Sequence, residues 1–371
     1  MRNALYLLIP PFLFCGLSIA QEKSAPLDGR DDIQPGTFIQ TSEGIWETES
    51  KEADFPFDEA VYSWNIRIPE AEGFRMYIRL GLPYKISPWL YAGFWGKVKP
   101  HGEFMETAFE CGELQQDHIL LKEKARSFQF RVVSEGDTAL SILPSVHIVY
   151  TDNTPGAEKS AQHQSQKKPL KGIVLDLPFR LQCDSQGQYI PDTCQSTALS
   201  SAMEYFGKKI NLEDIVKWTY DPEYKMYGLW PRTLGAAAQF GFSSYIDRFR
   251  NWDDVKSALA ENKIILASIT MPEKGEYLDP PYPRMSGHIV ALNGVTDDGR
   301  VIVTDSALGK NRRGYRLQWL QQDFEKIWIR NKGGLGMVIC PLSGAAMKTV
   351  TDLPPFPSYK KARVNNLSFS Q

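Results

Sequence analysis

The stretch PDTCQSTALSSAMEYFG, residues 191–207, decides how the second half of this 371-residue chain is read. It predicts a short loop running into a helix with a cysteine at its mouth. Asp192 or Thr193 stands where an N-cap would accept hydrogen bonds from the first free backbone N–H groups. Ala198, Leu199, Ala202, Met203 and Phe206 recur at helical spacing, which predicts a buried apolar face. Gly207 follows as a C′ stop. Cys194 therefore sits at the positive end of the helix dipole, a position that favours the thiolate. The bland alternative is a buried structural cysteine, a common fate of this residue.

A thiolate that attacks carbonyls needs a base, a group that orients the base, and donors for the oxyanion. Residues 173–371 contain one histidine, His288, so Cys–His chemistry in this region has one candidate pair. Residues 287–309, GHIVALNGVTDDGRVIVTDSALG, read as a β-hairpin turning at Asp297, Asp298 and Gly299. His288 enters its first strand and Asp305 leaves the second, so Asp305 is the candidate orienter. Asn293 and Asp297 are the substitutes. With a two-residue turn, Asp305 falls opposite Leu292, four residues or roughly 13 Å from His288. A bulge or a longer loop has to close that distance.

LDLPFRLQ, then DTCQSTALSSAMEYFG, then GHIVALNGVTDDGRVIVTDSALG together resemble the C39-like branch of the papain-like cysteine peptidases. The resemblance covers about residues 173–341. It implies an α+β peptidase fold with Cys194 as nucleophile, His288 as base, Asp305 as orienter and Gln182 as oxyanion donor. Gln188, six residues before Cys194, is the rival donor. Three features depart from the family pattern: the gap from Gln182 to Cys194 is long, and two positions differ. Gln195 follows the cysteine where glycine is frequent, and Ser306 follows the aspartate where proline is frequent.

Between these motifs, residues 209–220, 230–242 and 251–263 predict amphipathic helices, with Asn211 and Asp253 near cap positions. Residues 263–270 predict a buried strand and 333–341 a final one. The Pro- and Gly-rich segment 271–287 reads as a loop walling the cleft beside His288. A Cys183–Cys194 disulfide would silence the thiol.

The N-terminal half has another character. Residues 60–68, 74–82, 88–96, 127–133 and 145–151 are rich in aromatic and β-branched residues and separated by turn signals. That pattern predicts an all-β sandwich. It resembles the jelly-roll-like domain that precedes some bacterial cysteine-peptidase domains. Trp64, Trp89, Trp95, Tyr77 and Tyr91 could form a binding face for a glycan or surface polymer. Most of them read as core instead. The expected organisation is a signal peptide at 1–20, a flexible leader at 21–40, a β-sandwich at 41–152 and a linker at 153–172. A C39-like domain at 173–345 and a polar tail at 346–371 complete it.

Residues 1–20 combine Arg2, an apolar run broken by Pro10 and Pro11, and a small-x-small site before Gln21. They imply export to a periplasmic or extracellular place with no stable membrane span after cleavage. The net charge of −2 offers no basic field for nucleic acid. His101, His118 and His147 share no metal-ligand spacing. No zinc, serine-hydrolase or nucleotide motif occurs, so no cofactor is expected. The function expected is hydrolysis of a peptide or protein substrate through a thioacyl intermediate. The alternatives are a cell-wall amidase, or an inactive papain-like protein that binds glycans through its β-sandwich.

Overall fold

A computed structural model describes residues 26–99, 107–157, 170–272, 275–309, 312–357 and 359. The expected signal peptide, most of the expected linker and His101 lie outside the described residues.

The N-terminal half is all β. Its strands are β1 (Leu27–Ile33), β2 (Ile39–Ser42), β3 (Ile45–Glu47), β4 (Lys51–Asn65) and β5 (Gly73–Gly81). They continue with β6 (Leu90–Gly96), β7 (Ala108–Phe109), β8 (Gly112–Gln115), β9 (His118–Ser134) and β10 (Ser145–Asp152). The sheet runs β1-β10-β4-β9-β3-β2, with β5 and β8 also paired to β9. The register between β4 and β9 breaks around Phe57, where bulges bend both long strands. β9 can then pair with β4 and β8 over one half and with β5 and β3 over the other. Phe57, Tyr62, Phe74, Met76, Ile78, Phe128 and Phe130 fill the interior. Of the candidate binding aromatics, Trp64, Trp95 and Tyr91 are buried and offer no face to a ligand. Trp89 is half-buried between the guanidinium groups of Arg79 and Arg131.

Two expected boundaries need correction. The flexible leader at 21–40 contains β1, paired residue for residue with β10, and the start of β2. LDGRDDI shows no apolar alternation because charge partners hold it. Asp28 binds Arg250 through both carboxylate oxygens, and Arg30 bonds Asp247 at 2.6 Å. Both partners lie more than 200 residues away, so local sequence could not reveal them. The polar tail from 346 is also tied down at its start. Val350 N–H donates to Val174 O, Asp176 N–H to Lys348 O, and Tyr359 O–H to Gln318 O.

The C-terminal half is α+β. Its first elements are β11 (Ile173–Val174), α1 (Cys194–Tyr205), α2 (Leu212–Thr219), α3 (Trp230–Gln239), β12 (Ser244–Arg248) and α4 (Trp252–Ala260). β13 (Ile264–Met271), β14 (Met285–Val295), β15 (Arg300–Thr304), β16 (Leu317–Leu320), α5 (Gln321–Glu325) and β17 (Leu335–Ile339) follow. The sheet order is β12-β17-β13-β14-β15-β16, with β11 beside the far end of β14. The expected helices and strands are present. The N-cap of α4 is Asn251, whose side chain accepts from Asp254 N–H, and not Asp253.

α1 differs from the expected one-faced helix. It is buried nearly all round, with the sheet strand β14 against it and α2 and α3 packed on other sides. Several of its polar residues pair inside the protein, as in the Ser196–Thr219 hydroxyl pair at 2.8 Å and the Gln195 amide on Leu229 O.

The two halves meet over a polar and apolar seam. Glu59 binds Arg248, Asn65 bonds Ser244 O, and Ser63 Oγ accepts from Ile246 N–H. Gly235 of α3 lies where a Cβ would come within 3.0 Å of both Trp64 and Trp95. Only glycine lets the helix approach these indoles so closely.

Candidate active site

Cys194 is the first residue of α1. Thr193 precedes it as N-cap, but its hydroxyl donates back to Ile190 O and not to the helix. Asp192 has φ +59° and makes no cap either. The helix mouth therefore keeps backbone N–H groups directed at the thiol region, where the dipole favours an anion. Gly207, with φ +92°, closes the other end as expected.

His288 lies inside β14, opposite Ile269 of β13. Its Nε2 sits 2.7 Å from Asp305 Oδ1, and both side chains are almost fully buried. The imidazole also hydrogen-bonds the Cys194 thiol. Thiol, imidazole and carboxylate thus form one chain.

Two one-residue shifts bring Asp305 to His288. The loop after β14 is three residues long, because Arg300 N–H bonds Thr296 Oγ1 and Thr296 N–H bonds Arg300 O. Gly299 takes φ +79° in it. A bulge then falls between Leu292 and Gly294, beyond which Ala291 faces Thr304. Continuing that register carries Asp305 opposite Val290. One shift alone would have turned Asp305 to the face away from His288; two restore the face and halve the separation. The bulged residue Asn293 is clamped by its own side chain. Its amide donates to Leu175 O at 3.1 Å and accepts from Thr304 O–H at 2.9 Å. Asn293 is thereby removed as an orienter. Asp297 is removed as well, since it caps Gly172 N–H at the turn.

The Asp305 carboxylate accepts three hydrogen bonds among the described residues. Besides His288, Ala307 N–H donates at 2.9 Å and Tyr282 O–H at 3.1 Å. Tyr282 comes from the Pro-rich loop before β14 and is buried against Trp319. Nothing in the sequence separated it from neighbouring tyrosines; its position in PPYPR was the only local signal.

The ionisation states follow from these contacts. Burial works to raise the Cys194 thiol, but the hydrogen bond and charge of His288 outweigh it and hold the thiol below its ordinary value. Backbone N–H groups of Ile289 and Gln195 act in the same sense. Burial works to lower the His288 imidazole, and Asp305 and Cys194 together hold it above its ordinary value. Burial would also raise Asp305, and His288 keeps it below the usual carboxylate range. The arrangement favours a thiolate beside an imidazolium.

Gln182 is buried at 5% exposure, while Gln188 lies on an exposed turn. Gln182 Nε2 donates to Ser306 Oγ at 2.9 Å, and Tyr189 O–H donates to its Oε1 at 3.1 Å. Gln188 is occupied with its backbone, N–H to Asp184 at 2.8 Å. Both differing positions have partners here. Ser306 holds Gln182, and the Gln195 amide donates to Leu229 O and to Thr233 Oγ1. Cys111, Cys183, Cys194 and Cys340 are all free thiols, so the Cys183–Cys194 bridge is not formed.

Residues 174–335 match the model of the Peptidase_C39 like family. This stretch of the chain is similar to C39-like peptidases. No curated protein matches the chain. Among solved structures it is similar to one described as a C39-like peptidase from Bacillus anthracis. That match has 12% identity and a TM-score of 0.36, covering 47% of this chain and 99% of the other. It is also similar to the peptidase domain of Streptococcus ComA, a bi-functional ABC transporter involved in quorum sensing. There the identity is 15% and the TM-score 0.29, over 42% and 96% of the two chains. A third likeness is to xylellain, a cysteine protease from Xylella fastidiosa, at 14% identity and TM-score 0.26. It covers 47% of this chain and 87% of xylellain.

Proposed function

We propose that the C39-like domain is a cysteine-type peptidase that cleaves peptide or protein substrates. The observation that carries this is the buried chain from Asp305 through His288 to Cys194, with 2.7 Å between carboxylate and imidazole. The Cys194 thiolate attacks the scissile carbonyl carbon, forming a C–S bond and an oxyanion. Gln182 and the Cys194 backbone N–H are the donors that receive the oxyanion. An amide has two N–H donors, so Gln182 can serve while Ser306 holds the other. The His288 imidazolium gives its proton to the leaving amine as the C–N bond breaks, leaving a thioacyl enzyme. Neutral His288 then takes a proton from water. The hydroxide displaces the thiolate, and the acid product leaves.

The N-terminal half serves in this reading as a jelly-roll-like accessory domain, and residues 1–20 as a signal for export. No helix among the described residues is long and apolar enough to cross a membrane. A peptide-based thiol probe with mass mapping tests the assignment. Label should fall on Cys194 and drop at least tenfold in His288→Ala. Equal labelling of the variant would remove the pair and leave the binding-only alternative.

A further inference from the structure

The turn between β8 and β9 crosses from the N-terminal half and lands on the start of α3. Asp117, at its tip, is buried, and its Oδ2 accepts from Trp230 N–H at 2.6 Å. Trp230 is the first residue of α3, and its own N-cap, Leu229, supplies no side-chain cap. A carboxylate from the other half of the chain thus caps this helix where the dipole favours an anion. Neighbouring residues reinforce the seat. Gln116 amide approaches Met226 Sδ at 3.4 Å, and the His118 ring lies against Trp230.

The carbonyl of the same Leu229–Trp230 peptide accepts from Gln195 Nε2 at 3.2 Å. Asp117 and Gln195 therefore hold opposite ends of one peptide plane. Such chains of hydrogen bonds polarise one another. Gln195 is also anchored on Thr233, which is fully buried. Its backbone N–H is one of the groups that bond the Cys194 thiolate.

We propose that Asp117 is a positioning residue for Cys194, acting across the module boundary through the Leu229–Trp230 peptide and Gln195. The chemical part of this rests on the nucleophile assignment above. The N-terminal half then completes the peptidase site and is more than an accessory beside it. Burial pushes the Asp117 carboxyl up to about 7, so charge is costly at this point and a neutral acceptor suffices.

The test uses the full chain with Asp117→Ala, Asp117→Asn, Gln195→Ala and the Ala–Ala pair. Two readouts are followed: iodoacetamide alkylation of Cys194 against pH, and hydrogen exchange in the peptide spanning residues 193–205. Asp117→Ala should slow alkylation about fivefold near neutrality, the size of one lost hydrogen bond, and move its pH midpoint upward. Exchange at the start of α1 should rise with it. Asp117→Asn, which keeps an acceptor oxygen, should restore both. The Ala–Ala pair should lose no more than the worse single variant. Unchanged exchange and alkylation in folded Asp117→Ala, or multiplying effects in the pair, overturns the proposal. If Asp117→Ala does not fold, Asp117→Leu removes the acceptor without leaving a void. Failure of both to fold beside a folded Asp117→Asn also overturns it, in favour of a purely structural cap. A wild-type Cys194 that alkylates like an ordinary thiol sinks the nucleophile assignment, while the exchange data still decide the positioning path.

Discussion

Cys194 and His288 face each other from elements built in different ways. Cys194 opens a twelve-residue helix enclosed by the sheet and two other helices, so its place depends on ordinary helical periodicity and burial. His288 and Asp305 hang from two strands whose register is broken at Asn293. Their meeting depends on a three-residue loop, a bulge and the side chain that pins the bulge. The helix should tolerate local change that leaves its packing intact. The hairpin should not, because one residue of slip turns Asp305 to the wrong face.

The largest expected effect comes from the atoms themselves. Cys194→Ser should abolish measurable hydrolysis, since a hydroxyl is not ionised by this pair. Asp305→Ala should lower kcat/KM on the order of a hundredfold, the usual size of one lost positioned catalytic hydrogen bond of roughly 2–4 kcal/mol. Asp305→Asn keeps an acceptor for His288 and should lose less. Steady-state kinetics on one cleaved peptide checks the ranking. Near-wild-type activity in Asp305→Ala would make Asp305 a strand-end residue only.

Asn293→Ala tests the hairpin where no reacting atom is touched. It removes the bonds to Leu175 O and from Thr304 O–H in a fully buried place, leaving the Thr304 hydroxyl without its acceptor and Leu175 O with Leu177 N–H alone. The loss should be about 2–3 kcal/mol of stability, with a further fall of roughly tenfold in kcat/KM at temperatures where the protein is folded. Thermal melts and kinetics separate the two. A melting temperature that drops while kcat/KM stays put would show that the bulge needs no clamp to hold Asp305 in reach.

The parts of this comparison were unequally legible in the sequence. The run of small and apolar residues after Cys194 and the stop at Gly207 sufficed for α1, because helical signals are local. His288 and Asp305 were legible by scarcity and by the hairpin pattern. The loop length and the bulge were not, since DDG fits a two- or a three-residue turn and Asn293 looks like any polar residue in a strand. β1 was missed because its charged residues find partners over 200 positions away. Asp117 and Tyr282 sit in a turn and a loop whose tertiary contacts no local pattern encodes.

The pH profile probes both elements together. The thiol is held below its ordinary value and the imidazole above its ordinary 6.5. A thiolate–imidazolium pair thus exists between the two. Activity should rise as pH climbs through the lowered thiol value and fall only as it passes the raised imidazole value. Asp305 is the first charge that raises His288, so Asp305→Asn should move the alkaline limb down, toward the ordinary imidazole value. The acid limb should move up, because a less charged imidazole stabilises the thiolate less. Stopped-flow alkylation across pH measures the acid limb, and kcat/KM across pH measures both. If Asp305→Asn leaves them in place, Asp305 orients the ring without setting its charge.

The smallest expected effect belongs to Tyr282. Its hydroxyl donates to Asp305 Oδ2 at 3.1 Å, on the oxygen that His288 does not use. Burial and the nearby carboxylate hold the phenol well above its ordinary value, so it stays a neutral donor. A donor on Asp305 spreads the carboxylate charge and weakens its pull on the imidazolium, while fixing the carboxylate plane. Tyr282→Phe keeps the ring against Trp319 and removes only the donor. The freed carboxylate should draw His288 slightly more strongly, moving the alkaline limb up. The looser plane should cost about two- to fivefold in kcat/KM, in line with roughly 0.5–1 kcal/mol for one neutral donor. Tyr282→Phe thus moves the limb opposite to Asp305→Asn, and that opposition is what a merely structural tyrosine would not produce. A limb that stays put with unchanged kcat/KM would confine Tyr282 to packing the loop that walls the cleft.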